Sequence, residues 1–127
     1  MILIDTNIVI GCFRGNEAIL SELLKNDLSS IGISSVTICE IYSGMRKTEK
    51  RKTIELLRKF SKFLISENIS KKTESLCLEY FQKGLALPDA LIAATALENN
   101  LQLFTLNKKD FDFIEGIKFY KPSQKII

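Results

Sequence analysis

The chain opens on a short apolar run, Ile2-Leu3-Ile4, that gives way at once to Asp5-Thr6-Asn7. An uninterrupted apolar run of this length, bounded by turn-forming polar residues, predicts a buried strand that runs into a turn. Residues 8–13 are apolar or small, Arg14-Gly15-Asn16 interrupts them, and 17–25 resumes with Ile19, Leu20, Leu23 and Leu24 on one helical face, which predicts one or two helices. A second short strand is expected over 30–34. Ser34 or Ser35 can then accept a backbone N–H as the N-cap of a helix over 36–45.

The stretch 46–72 reads as one or two amphipathic helices with Leu56, Leu57, Phe60, Phe63 and Leu64 as the buried stripe, and with a short extended piece near 63–66. Another helix is expected from about residue 72 to 83, stopping near Gly84. Pro88 and Asp89 open a further helix through Glu98, because proline fits the first turn, and Asn99-Asn100 ends it, because asparagine tolerates the left-handed conformation. Residues 101–105 read as a strand and 117–120 as another. Strands alternating with helices, in runs apolar on both faces, predict an α/β sandwich with a short central parallel sheet. With 127 residues, 46% of them hydrophobic, and only six Gly and two Pro, one domain spanning 1–127 is expected rather than a disordered or low-complexity chain.

Composition narrows the chemistry more than it narrows the fold. The sequence contains no histidine, which removes the Ser-His-Asp triad, the Cys-His dyad, histidine-assisted ribonuclease chemistry and every histidine-bearing metal site. Cys12, Cys39 and Cys77 are widely spaced, so neither a disulfide framework nor a thiolate zinc site is indicated, and a reduced, cytoplasmic setting is expected. The run at 1–4 lacks the basic and long apolar regions of a signal peptide, and no stretch reaches the ~18 apolar residues that span a bilayer, so no membrane association is expected. A Gly-rich phosphate loop is also missing. The formal charge of +3 conceals an uneven distribution. Ten Lys/Arg against three Glu give 46–72 a net +7, leaving −4 for the remainder. That stretch is either a solvated helix face or a surface for a phosphate backbone.

In an open parallel sheet, ligands bind beyond the carboxyl ends of the strands. Asp5 follows the first strand, Glu40 lies early in the helix after the second, Asp89 begins the apolar helix 90–97, and Asn107 and Asp110 follow the 101–105 strand. Each has an ordinary explanation: Asp5 as an N-cap, Glu40 and Asp89 as acids complementing helix N-termini, Asn107 and Asp110 as turn residues. Together they fall on one rim, where converging carboxylates raise one another's pKa values or recruit a cation. A site without His or Cys suits a hard divalent ion with oxygen ligands, Mg²⁺ above all.

Four blocks carry a resemblance to a known family: Ile2-Leu3-Ile4-Asp5-Thr6-Asn7, Ser35-Val36-Thr37-Ile38-Cys39-Glu40-Ile41, the segment from Leu87-Pro88-Asp89 to Ala96, and Phe104-Thr105-Leu106-Asn107-Lys108-Lys109-Asp110-Phe111. In order and spacing, from about residue 1 to 120, the chain resembles the PIN-domain ribonucleases and, more narrowly, the VapC-type toxins of toxin–antitoxin pairs. The resemblance implies a PIN-like α/β/α sandwich and a Mg²⁺- or Mn²⁺-dependent endoribonuclease. It implies Asp5, Glu40 and Asp89 as metal-binding carboxylates, and Thr6, Asn7 and Thr105 as groups that orient them. The family often carries an acid two residues after the threonine matched by Thr105. Here Asn107 stands there, and Asp110 is the nearest acidic substitute. An RNA substrate, a homodimer and a cognate antitoxin that can place an Arg or Lys among the carboxylates are also implied, with the stripe near Leu56, Leu57 and Phe60 as a groove for it unless core packing uses it.

Two rival readings fit parts of the pattern. A Mg²⁺-dependent phosphotransfer or phosphatase domain also uses acids at strand ends, but the first strand here ends in Asp5-Thr6-Asn7 rather than Asp-x-Asp. A non-catalytic RNA-binding module would use the basic stretch alone and would bind RNA in Mg²⁺ without cleaving it.

Overall fold

A computed structural model of the chain describes residues 1–126. Four parallel strands, β1 (Ile2–Ile4), β2 (Ile31–Ser34), β3 (Ser61–Phe63) and β4 (Gln102–Phe104), form one sheet in the order β3-β2-β1-β4. Ile4 is paired with Ile33 and with Phe104, so β1 and its two neighbours end at one level. Three chain segments therefore leave the sheet side by side: Asp5 from β1, Ser35 from β2 and Thr105 from β4.

Side chains alternate across the sheet, and the alternation builds two cores. Leu3 and Leu103 pack on one face with Ile69 and Leu76 of α5 (Glu67–Glu79), Ile92 and Ala93 of α6 (Leu87–Glu98), and Phe111. Ile4 and Phe104 pack on the other face with Ile8 of α1 (Thr6–Phe13), Ile19 and Leu23 of α2 (Glu17–Leu24), Ile41 of α3 (Ser35–Gly44) and Leu57 of α4 (Lys50–Leu57). This is the three-layer sandwich that the sequence pattern predicts. The caps also follow it: Ser34 accepts from the Val36 N–H at 3.1 Å, Gly84 takes φ +72° after the turn 81–83, and Asn100 takes φ +51° after α6.

The middle of the chain departs from expectation. The extended piece is β3, over 61–63 rather than 63–66, and the following helix begins at Glu67 rather than near residue 72. Ser66 stops the strand, since its hydroxyl caps α5 by accepting from the Ile69 N–H at 3.2 Å. Leu64 consequently lies in the β3–α5 connection and is exposed, not part of a buried stripe. Leu57 and Phe60 are core residues, so the groove expected near them is filled from within. The strand expected at 117–120 is reduced to a single parallel bridge between Leu103 and Phe119.

Gly32 marks the tightest point of the sheet: a methyl group there would lie 2.6 Å from the Phe63 ring. Gly32→Ala is expected to cost about 1–3 kcal/mol through displacement of that ring, read as a lowered urea midpoint at unchanged slope.

Candidate functional site

Asp5 sits where β1 becomes α1, 6% exposed, and both of its oxygens are held. Oδ1 accepts the Thr6 N–H at 2.8 Å, which caps α1. Oδ2 accepts the Thr105 hydroxyl at 2.8 Å and the Asn7 amide at 3.3 Å. Thr105 in turn accepts the Asn107 N–H at 3.0 Å, and Asn7 Oδ1 accepts the Leu106 N–H at 3.3 Å. The ends of β1 and β4 are thereby clamped together around one carboxylate.

Glu40 projects from α3 toward the same rim, where its Oε1 accepts the Thr6 hydroxyl at 2.7 Å. Thr37, fully buried one turn earlier on α3, brings its hydroxyl within 3.2 Å of that of Thr6. Sequence reasoning assigned no role to Thr37. The available signal was its position three residues before Glu40, which puts both on one helix face. Asp89 lies in the first turn of α6, half-buried. Asp110 ends the turn 108–110 after β4 and is exposed, as is Asn107 at the start of that turn.

The electrostatics show which acids face one another. Burial lifts Asp5 above the usual carboxylate range, against the opposing pull of the Thr105 and Thr6 hydrogen bonds, and the charges of Glu40 and Asp110 lift it further. Burial, followed by repulsion from Asp5, Asp110 and Glu40, pushes Asp89 up to about 6. All four acids therefore share one field, and Asp110 is felt at both Asp5 and Asp89. Asn107 carries no charge, and its N–H is spent on Thr105.

The arrangement gives oxygen donors only. Among the described residues no three His, Cys, Asp or Glu side chains are gathered closely enough to hold a metal ion in common. Oxygen donors of this kind are those a hard cation of the Mg²⁺ type takes, alongside several waters. The unrelieved repulsion at Asp89 is the kind of strain a cation would remove.

The sequence profile of the PIN domain matches residues 2–116. The chain belongs to the PIN-domain family. Ribonuclease VapC10 of Mycobacterium tuberculosis is 34% identical over 121 residues, covering 93% of this chain and 91% of that protein. Among solved structures, a toxin–antitoxin complex from Klebsiella pneumoniae matches with a TM-score of 0.82 and 34% identity over 98% of this chain and all of that one. VapBC2 from Rickettsia felis, bound to a DNA fragment from its promoter, matches with a TM-score of 0.79 and 27% identity, covering 94% and 98% of the two chains. The four-stranded parallel sheet and flanking helices are thus those of a VapC-type PIN domain, and the clamp around Asp5 stands at the carboxyl ends of its strands.

Proposed function

We propose that this PIN domain, acting as one unit over 1–127, is a divalent-metal-dependent endoribonuclease and the toxin member of a toxin–antitoxin pair. The observation that carries the reading is the gathering of acids at the strand ends of a VapC-type fold, where the charges of Glu40 and Asp110 raise Asp5, and those of Asp5, Asp110 and Glu40 raise Asp89. Asp5, Glu40, Asp89 and Asp110 are the residues to which we assign metal binding, with Mg²⁺ or Mn²⁺ as the ion. When bound, such an ion supplies Lewis acidity at a phosphodiester oxygen and makes a neighbouring water a better nucleophile at neutral pH.

The protein's own residues supply positioning. Thr105, Thr6 and Asn7 fix the Asp5 carboxylate in one orientation, and metal sites depend on such outer partners for affinity. Thr6 does the same for Glu40, backed by Thr37. Asn107 acts through Thr105 rather than on the substrate, and Asp110 takes the place of the fourth acid. Asp89 carries a proton at acidic pH and gives it up above about 6, so the site gains charge and cation affinity as pH rises through that value.

The structural relatives include toxin–antitoxin complexes, which supports a cognate antitoxin as partner. We assign RNA as substrate, a homodimer as the working form and the cytoplasm as its place. Among the described residues no helix is long and apolar enough to cross a membrane. The test is cleavage of single-stranded RNA across a titration of Mg²⁺ and of Mn²⁺. Activity should be lost on chelation and return with the added ion; undiminished activity in excess chelator overturns the metal assignment.

A further inference from the structure

Next to Glu40 the surface opens into a cavity of about 410 Å³, lined by α1 (Ile10, Phe13), the α1 C-cap Arg14, α3 (Glu40, Ile41, Gly44) and the segment Met45, Arg46, Glu49 and Thr53. Its size is that of a small-ligand cleft, about 300–1,000 Å³. Two features of its wall point to a ligand. The guanidinium groups of Arg14 and Arg46 make no ion pair or side-chain hydrogen bond among the described residues. The two acids on the same wall are engaged elsewhere: Glu49 Oε1 accepts the Arg46 N–H at 2.7 Å, and Glu40 Oε1 accepts the Thr6 hydroxyl. Thr53, only 2% exposed, also lines the cavity.

We propose that this cavity holds the nucleotide next to the scissile phosphodiester of a single-stranded RNA. The inference rests on the ribonuclease reading and adds a substrate subsite to it. Arg14 and Arg46 neutralise the nucleotide's phosphate, the Thr53 hydroxyl bonds to its polar edge, and Ile10, Phe13 and Met45 take the face of an unstacked base. Charge complementarity selects the occupant, because two unpaired cations beside an acidic reaction centre suit a backbone that must approach that centre. An unstacked base needs an apolar or aromatic platform, which the cavity also provides. Of the basic stretch 46–72, with its net +7, Arg46 lines this cavity.

The test uses the full-length chain in two backgrounds. In the Asp89→Asn protein, affinity for a short fluorescein-labelled single-stranded RNA is measured by anisotropy across a KCl series, with Arg14→Ala, Arg46→Ala, both together, and each Arg→Lys. In the otherwise native protein the same changes are assayed for cleavage. Each alanine variant should weaken binding and raise KM by about three- to tenfold, with kcat much less affected. The pair should lower the salt slope by about 0.7, the value for one phosphate contact on a single strand. Lysine should restore most of the slope.

Native RNA affinity and salt slope in a folded double variant overturn the inference, whether or not the native protein cleaves RNA. Loss of affinity for a peptide of the antitoxin alone, with RNA binding unchanged, overturns it too and makes the cavity a protein-binding site. Arginine-dependent RNA binding by a native protein that does not cleave supports the subsite and overturns the ribonuclease reading instead.

Discussion

Asp89→Asn is expected to cut RNA cleavage by about 10²–10³-fold while making the metal-free protein more stable above pH 6. The two effects have one cause. Asp89 is half-buried and faces Asp5, Asp110 and Glu40, so its ionised form is disfavoured in the folded state and its pKa rises from 3.8 to about 6. A carboxyl whose folded pKa is raised contributes full stability below its unfolded pKa and loses that contribution as pH rises through its folded one. The native protein should therefore lose stability between about pH 4 and pH 6, and the asparagine variant should lose less, because only the raised Asp5 remains. Melting curves of both proteins in chelator, taken at intervals from pH 4 to 8, check this. The gap in Tm should open through that window, and added Mg²⁺ should narrow it by stabilising the native protein alone. A melting temperature lowered by the substitution at pH 7 would contradict the proposed crowding of charge.

Glu22→Ala is expected to be the most damaging single change outside the site, with a loss of about 3 kcal/mol and roughly 10 °C in Tm. Glu22 is 1% exposed on α2 and collects donors from the other end of the chain. The Tyr120 hydroxyl bonds to Oε1, the Ser123 N–H reaches Oε1 at 3.0 Å, and the Ser123 hydroxyl reaches Oε2 at 2.9 Å. Lys25 pairs with Oε2 at 3.2 Å. Burial works to raise this carboxyl, but the donors from Tyr120, Ser123 and Lys25 outweigh it and hold the pKa at about 2. Truncation strands those donors, and an unsatisfied buried donor costs more than its hydrogen bond contributes.

The pH dependence has the opposite sign to that of Asp89. A depressed folded pKa gives stability that is complete above the unfolded value of 4.5 and is lost as pH falls toward 2. Acid unfolding of the native protein should steepen in that range, and Glu22→Gln should flatten it. The network also ties 120–123 to α2, so protease cleavage near the C-terminus should quicken in the alanine variant.

Sequence pattern carried the fold where a residue's neighbours along the chain decide its state. The run 2–4, the Ser34 cap, the Pro88 helix start and the left-handed Asn100 are local signals, and each appears in the structure. In 46–72 the residues Phe60, Phe63 and Leu64 have the spacing of a helix face, and the extended piece expected near 63–66 forms two residues earlier, over 61–63. Only pairing with β2, in the register Gly32 to Ser61, selects the strand. For 117–120 the pairing partner was available, but only one bridge to Leu103 forms. The buried acid network around Glu22 was likewise illegible, since its donors lie about a hundred residues away.

The candidate site divides along the same line. Asp5, Glu40 and Asp89 announced themselves because each interrupts or opens an apolar segment. The sequence leaves Asn107 and Asp110 as alternatives; that the Asp110 charge raises both Asp5 and Asp89 is legible only in the fold. Arg14 carried no local signal, since a helix-ending arginine is ordinary in any α/β protein, and Thr37 carried only its spacing from Glu40.

The most direct test of the account is the product pattern from 5′-labelled single-stranded RNA incubated with the native protein in Mg²⁺, with the native protein in excess chelator, and with Asp5→Asn in Mg²⁺. Internal fragments in the first reaction and intact RNA in the other two are the predicted result. Internal cleavage of equal extent in all three would contradict it.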